Sequence, residues 1–216
     1  MGQSLRTGMG YVRSRADLLI MLSLVVIGGL TGGVISRLQP VIVSQVFQGT
    51  RNTFVAFQVC FGIGAVLGAG LVAYGTRHGI MSPWRAFVLM AVMAGGVFAL
   101  GFGGPPWLGA ATMMLVGMLF VASMVRLNGS VLNSTPSDMQ GRVSSFQVLA
   151  FRSGTPLGSL GGGALAHRLG AGLLLHVAGA GVVAVIALLA AVARWKKVVY
   201  AGAAPGPPGA PRRGPC

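Results

Sequence analysis

The chain has 216 residues, 54% hydrophobic and only 8% charged, with a mean hydropathy of +0.78. A soluble domain carries about 25% charged residues, so neither a water-soluble enzyme nor a disordered chain fits this composition. The net charge of +14 comes from cations standing singly between long apolar runs, unlike the gathered basic face of a nucleic-acid binder, and no nucleic-acid partner is expected.

Residues 1–17 form a basic lead-in. The apolar stretch that follows, Leu18 to about Phe47, exceeds the core of a cleaved leader and reads as a membrane anchor. Six segments reach the roughly 20 residues a spanning helix needs: about 18–47, 54–75, 85–104, 107–127, 143–166 and 171–194. Residues 18–195 are therefore expected to form an all-α, polytopic transmembrane domain in contact with the lipid bilayer. The remainder, 196–216, includes AGAAPGPPGAPRRGPC from Ala201 onward. It has no apolar surface to pack and reads as a disordered tail.

Placing both ends in the cytoplasm puts Arg6, Arg13, Arg15, Arg77, Arg85, Arg126, Arg142, Arg194, Lys196, Lys197, Arg212 and Arg213 inside, and leaves only Arg51 and Arg168 outside. That bias sets the expected orientation, with an inner-membrane location. Trp84, Trp107 and Trp195 fall at predicted helix ends, where indole rings sit at headgroup level.

A weak internal repeat links the spans. Phe57-Gln58-Val59 recurs as Phe146-Gln147-Val148 at an offset of 89, and Leu67-Gly68 as Leu157-Gly158 at an offset of 90. Leu18 and Leu108 are also 90 apart. The spans thus align as two sets of three, and three is odd, so the second set enters the membrane from the opposite side. Inverted repeats of this kind are a signature of secondary transporters. Glycines four apart support close helix packing: Gly28 and Gly32, Gly29 and Gly33, Gly64 and Gly68, Gly154 and Gly158, Gly158 and Gly162.

Two stretches carry a family resemblance. SLRTGMGYVRSRADLL at 4–19 is similar to the basic segment that leads into the seventh helix of a twelve-helix major facilitator superfamily permease. TPSDMQGRVSSFQVLAFRSGTPLGSLGGGALAHRLG at 135–170 resembles the family's loop and eleventh helix, through Pro136, Asp138, Gly141-Arg142-Val143, Ser145, Pro156-Leu157-Gly158 and Gly163-Ala164-Leu165-Ala166. From about Leu5 to Arg194 the chain resembles the C-terminal six-helix half of that fold. Within the superfamily it looks like the bacterial exporter group that includes the enterobactin exporter and macrolide efflux proteins. The resemblance implies efflux of a small amphipathic molecule by alternating access, with an N-terminal half-transporter or a second copy of the chain as partner. A truncated or accessory membrane subunit without transport activity of its own is the alternative.

Arg77, Asp138, Arg142 and Arg168 fall at the family's gating loops. The chain departs from the family pattern there: His167 stands where an aspartate commonly precedes the arginine, and Gly75-Thr76-Arg77-His78-Gly79 lacks the acid. Arg142 and Asp138, four apart, can pair at the surface. Gly141-Arg142 is expected to open a helix after a turn at Pro136 and Ser137.

No phosphate-binding loop is present and the only lysines are Lys196 and Lys197, so the chain is not its own ATPase. Neither an enzyme active site nor a metal or other cofactor site emerges: Cys60 and Cys216 have no ligand spacing, and no Ser/His/Asp set is evident. The only acids, Asp17 and Asp138, lie at predicted cytoplasmic boundaries, poor positions for a proton carrier. His176 reads either as a neutral structural side chain or as a proton relay.

Arg152 lies about ten residues into the fifth span, where a cation costs ~3 kcal/mol or more unless it faces water or a partner. It meets an anionic substrate, a carboxylate of another half, or backbone carbonyls; Gln147, Ser153 and Thr155 can share its face. Arg37 lies near Gln39, Pro40 and Gln45 in the outer first span and can alternatively snorkel outward. Pro40 and Pro156 should bend their helices. The candidate substrate contacts are Arg37, Gln39, Gln58, Gln147 and Arg152, on spans one, two and five of a cavity that also includes span four. Asn128 and Asn133 begin N-x-S/T triplets on the predicted cytoplasmic side, where glycosylation is not expected.

Overall fold

Backbone groups in an apolar environment must be satisfied within their own segment, and helices do this without a partner. The computed structural model describes residues 16–77, 83–137 and 139–195, and these contain helices and short connections but no strand. The helices are α1 (Ala16–Gln45), α2 (Arg51–Arg77), α3 (Pro83–Leu100), α4 (Pro106–Asn133), α5 (Gln140–Leu169) and α6 (Ala171–Trp195). The lead-in before Ala16, the tail beyond Trp195, Asp138, and the side chains of Arg77, Trp84 and Trp195 lie outside the described residues.

Among the described residues, four helices are long and apolar enough to cross a membrane: α1, α2, α4 and α6. The apolar part of α3, Arg85–Leu100, is shorter. The predicted fifth span is a 30-residue helix, α5, whose serines, glutamines and arginines keep it outside that class. The fourth span runs past its expected end at 127 to Asn133, so Asn128 and Asn133 are helical rather than loop residues. Asparagine is a modest helix former that packing readily overrides.

Local chemistry explains the breaks. Before α2, the Thr53 hydroxyl accepts a 3.2 Å hydrogen bond from the Thr50 N–H, as an N-terminal cap. Between α3 and α4, Gly103 and Gly104 take φ of 69° and 120°, and Pro106 follows at the first helical position, where its missing N–H costs nothing. The expected turn at Pro136 is present: its carbonyl accepts bonds from the Met139 and Gln140 N–H groups at 2.9 and 3.1 Å. The Gln140 side-chain amide then donates to the Leu132 and Thr135 carbonyls, tying α5 to the end of α4. Both prolines are absorbed within unbroken helices, Pro40 in α1 and Pro156 in α5.

The strongest packing pairs are α1 with α5 and α2 with α4, followed by α3 with α4 and with α6. Gly29 abuts Phe151 and Gly33 abuts Thr155, so α1 and α5 run parallel; Gly64 abuts Met114 and Gly68 abuts Met118, so α2 and α4 do too. In contrast, Gly28 faces Met124 and Gly32 faces Phe120, which makes α1 and α4 antiparallel. Gly179 faces Phe98 while Gly101 faces His176, which makes α3 and α6 antiparallel. Exchanging α1–α3 with α4–α6 therefore turns the α1–α5 pair into the α4–α2 pair, with equivalent helices running in opposite directions.

The two parallel pairs meet backbone to backbone. A Cβ on Gly64 or Gly68 would overlap the carbonyl oxygens of Met114 or Met118, and one on Gly158 would overlap that of Leu30. Not every four-residue glycine spacing works this way: Gly28 and Gly32 meet the side chains of Met124 and Phe120 instead. The central layer is sealed by Ile35, Ile42, Phe57, Met93, Val97, Met113, Val116 and Leu175 from five helices. Phe47 and Phe57 meet edge to face at 5.1 Å. Towards the α1 N-terminus, Leu24, Val25, Met90, Leu127 and Ile186 form a second cluster. The outer faces of α2 and α5, with Val59, Val66 and Leu160, stay uncovered.

These contacts predict opposite outcomes for two glycines three residues apart. Gly158→Leu should cost about 1–3 kcal/mol or more by forcing α1 and α5 apart, whereas Gly161→Leu, which meets open space, should be neutral. Thermal unfolding of the two detergent-solubilised variants checks this.

Candidate functional site

The α1–α5 seam carries the candidate site on its flank. Gly33 contacts the Thr155 backbone; Arg37 lies one turn beyond Gly33 on the same face of α1, and Arg152 nearly one turn before Thr155 on α5. Both arginines are exposed. They line one cleft of about 630 Å³ together with Val25, Met124, Asn128, Gln147, Val148, Phe151, Thr155 and Pro156. Gln147, only 5% exposed, forms part of its wall.

A second cleft of about 270 Å³ shares Phe151 and Thr155 with the first and continues to Ser36, Gln39, Gln58, Phe61 and Phe120. Its aromatic wall is a run of three rings, Phe61 to Phe120 at 6.3 Å and Phe120 to Phe151 at 6.4 Å, both tilted. A third, more open recess of about 440 Å³ shares Val148 and Arg152 and adds Ser144, Ser145 and Leu149. The three share walls along α5 and make one trough bounded by α1, α2, α4 and α5, its surface mostly apolar with polar side chains set into it.

Its hydrogen-bonding capacity is uneven. The hydroxyls of Thr155 and Ser145 donate to carbonyls one turn back, at 3.2 and 2.9 Å, so their protons are occupied while their oxygens can still accept. Pro40 and Pro156 lack an N–H, which leaves the carbonyls of Ser36 and Arg152 without their usual helical donors. Gln39 is the opposite case: 2% exposed, it lines the second cleft with a buried Nε2 that has no hydrogen-bond partner. A buried, unpaired amide donor is unfavourable by about 1–3 kcal/mol.

The structure therefore brings Arg37, Gln147 and Arg152 to one cleft and Gln39 and Gln58 to its neighbour. Of the loop-motif residues, Arg142 and Arg168 are the two whose side chains are described, and they lie at opposite ends of α5. Arg142 is exposed in the first turn of α5, its Nη1 3.9 Å from the Met139 sulfur, while Arg168 is exposed in the last turn. Arg77 ends α2. The proposed Arg142–Asp138 pair lies partly outside the described residues.

His176 lies on α6, away from the trough. Its ring meets Phe98 and Phe102 edge to face at 4.7 and 4.6 Å, and its Nε2 is buried without a partner. Among the described residues no group of three His, Cys, Asp or Glu side chains gathers as a metal site.

Sequence reasoning did not find Ser36, Asn128, Phe61, Phe120 or Phe151. Phenylalanine in an apolar helix carries no signal that separates a site wall from a core. Asn128 reads from sequence as the end of a span; in the structure it lies one turn after Met124, on the face of α4 that meets Gly28 of α1.

A family profile described as transmembrane secretion effector matches residues 1–204 of the chain. No curated protein and no solved structure matches it.

The orphaned amide makes a stability prediction. Gln39→Met keeps the side-chain length and removes the unpaired group, so the ligand-free protein should gain about 1–3 kcal/mol, read as a raised melting temperature in detergent.

Proposed function

The chain belongs to the transmembrane secretion effector family, membrane transport proteins of the major facilitator type, and on that premise we propose that it is a half-length exporter domain of six spans. It moves a small amphipathic molecule, such as a drug, antibiotic or siderophore, outward across the inner membrane by alternating access. The bias of cations towards one set of loops supports placing both termini in the cytoplasm.

One observation carries the mechanism: the same glycine-seamed parallel pairing occurs twice, as α1–α5 and as α2–α4, with α1 and α4 antiparallel. Two similar packings in opposite directions can exchange which end of a shared cavity is open. Close backbone contact without interlocking side chains suits such sliding. The trough lies between the pairs, where both can reach an occupant. Arg37, Gln39, Gln58, Gln147 and Arg152 are the proposed substrate contacts.

An N-terminal half-transporter, or a second copy of the chain, closes the cavity. Two such halves would be related by an axis along the membrane normal. Energy comes from an ion gradient, and the coupling residues belong to the partner half, because the acids here, Asp17 and Asp138, lie at helix boundaries. The gating loops around Arg77, Asp138, Arg142 and Arg168 would hold the closed states.

Export measurements test this reading. Host cells preloaded with a panel of amphipathic compounds should retain at least one of them severalfold less with the intact protein than after deletion of its gene. Arg152→Leu should insert to the same level and lose that export. Unchanged retention across the panel, or full export by Arg152→Leu, contradicts the proposal and favours a transport-inactive accessory subunit.

A further inference from the structure

We propose that the occupant of the trough is an aromatic organic anion, its oxyanion held by Arg152 and Arg37 and its ring system by the Phe61–Phe120–Phe151 wall. This rests on the export reading above and narrows its substrate class.

Charge is the first argument. The trough presents two arginines and, among its described lining residues, no acid. The chain's two carboxylates are Asp17, in the first turn of α1, and Asp138, between α4 and α5. A cationic solute entering this space would meet two like charges with no acid among the described lining residues to offset them. A neutral solute would displace water from both guanidinium groups without bringing a counter-charge. An oxyanion satisfies them, and the planar guanidinium fork suits a carboxylate or a similar group.

The second argument is independent of charge. Thr155 and Phe151 belong to both clefts, so a molecule with its oxyanion at Arg152 extends past them along the three tilted rings. Ring centroids 6.3 and 6.4 Å apart provide edges and faces suited to a flat aromatic body. Beside this wall, the unpartnered Gln39 Nε2 offers a buried N–H. An ether, carbonyl or phenolic oxygen on the ring system satisfies it.

Equilibrium binding to the full chain in nanodiscs of neutral phosphatidylcholine tests the inference, using radiolabelled 1-naphthoate with 1-naphthamide and 1-naphthylmethylammonium as matched competitors. Naphthoate should bind about tenfold more tightly than the amide, the effect of roughly one charge-assisted contact, and the ammonium most weakly. Arg152→Gln should reduce naphthoate to the level of the amide, while Arg152→Lys keeps part of the preference. Arg37→Gln, at the second arginine of the cleft, should narrow the preference for naphthoate over the amide as well.

Equal binding of acid and amide, tighter binding of the ammonium, or an unchanged preference in Arg152→Gln overturns the inference. Loss of naphthoate binding when phosphatidylglycerol is added to the discs also overturns it, because the arginines would then serve lipid headgroups. Export confined to neutral or cationic compounds defeats the anion inference alone. Naphthoate binding by a chain that exports nothing defeats the transport reading instead.

Discussion

Everything in this bundle depends on two backbone contacts, α1 on α5 and α2 on α4. Inside a membrane there is little hydrophobic drive to hold helices together, so close van der Waals contact must do it. Glycine permits that contact because nothing projects from its Cα, and at Gly64, Gly68 and Gly158 the neighbouring carbonyl occupies the space a Cβ would need. The two seams set the helix order, and the order sets which faces remain uncovered. Those faces, on α2 and α5, are apolar at Val66 and Leu160 and carry polar side chains along the trough.

The polar groups of the trough are unfavourable in isolation, which is itself informative. Gln39 carries an unpaired buried donor, and two prolines release carbonyls at Ser36 and Arg152. A bundle evolved only for stability would fill such positions with leucine or alanine. Keeping them is what a site does when its partners arrive with the ligand. The His176 cluster differs in kind: its ring meets Phe98 and Phe102 edge to face and lines none of the three recesses, so it belongs with packing between α3 and α6.

Much of the architecture was legible because lipid solvation is a blunt filter. Long apolar runs show the helices. The offset near 90 residues pairs α2 with α5, and those helices do occupy equivalent places in the packing. Arg152 and Gln147 stood out as polar residues in an apolar context, and the structure puts both on the trough. Other features had no such contrast. Asn128 and Asn133 suggested a loop, but α4 continues through them because helical hydrogen bonding outweighs a modest propensity penalty. Spacing alone could not tell Gly28 and Gly32, which meet side chains, from Gly29 and Gly33, which meet backbone; rotating a helix by one residue changes its neighbour entirely. The aromatic wall was invisible for the reason given by its composition, since Phe120 resembles any core residue until its neighbours are known.

The central claim is that the face bounded by α1, α2, α4 and α5 is an aqueous cavity rather than a lipid-facing surface. Thiol accessibility in membranes tests it most directly, in a background with Cys60→Ser and Cys216→Ser. Val148→Cys, on the trough, should react readily with a membrane-impermeant maleimide. Leu188→Cys, exposed on α6 away from it, should react only with a lipid-soluble reagent. If Val148→Cys is as protected from the impermeant reagent as Leu188→Cys, the trough faces lipid and the account is wrong.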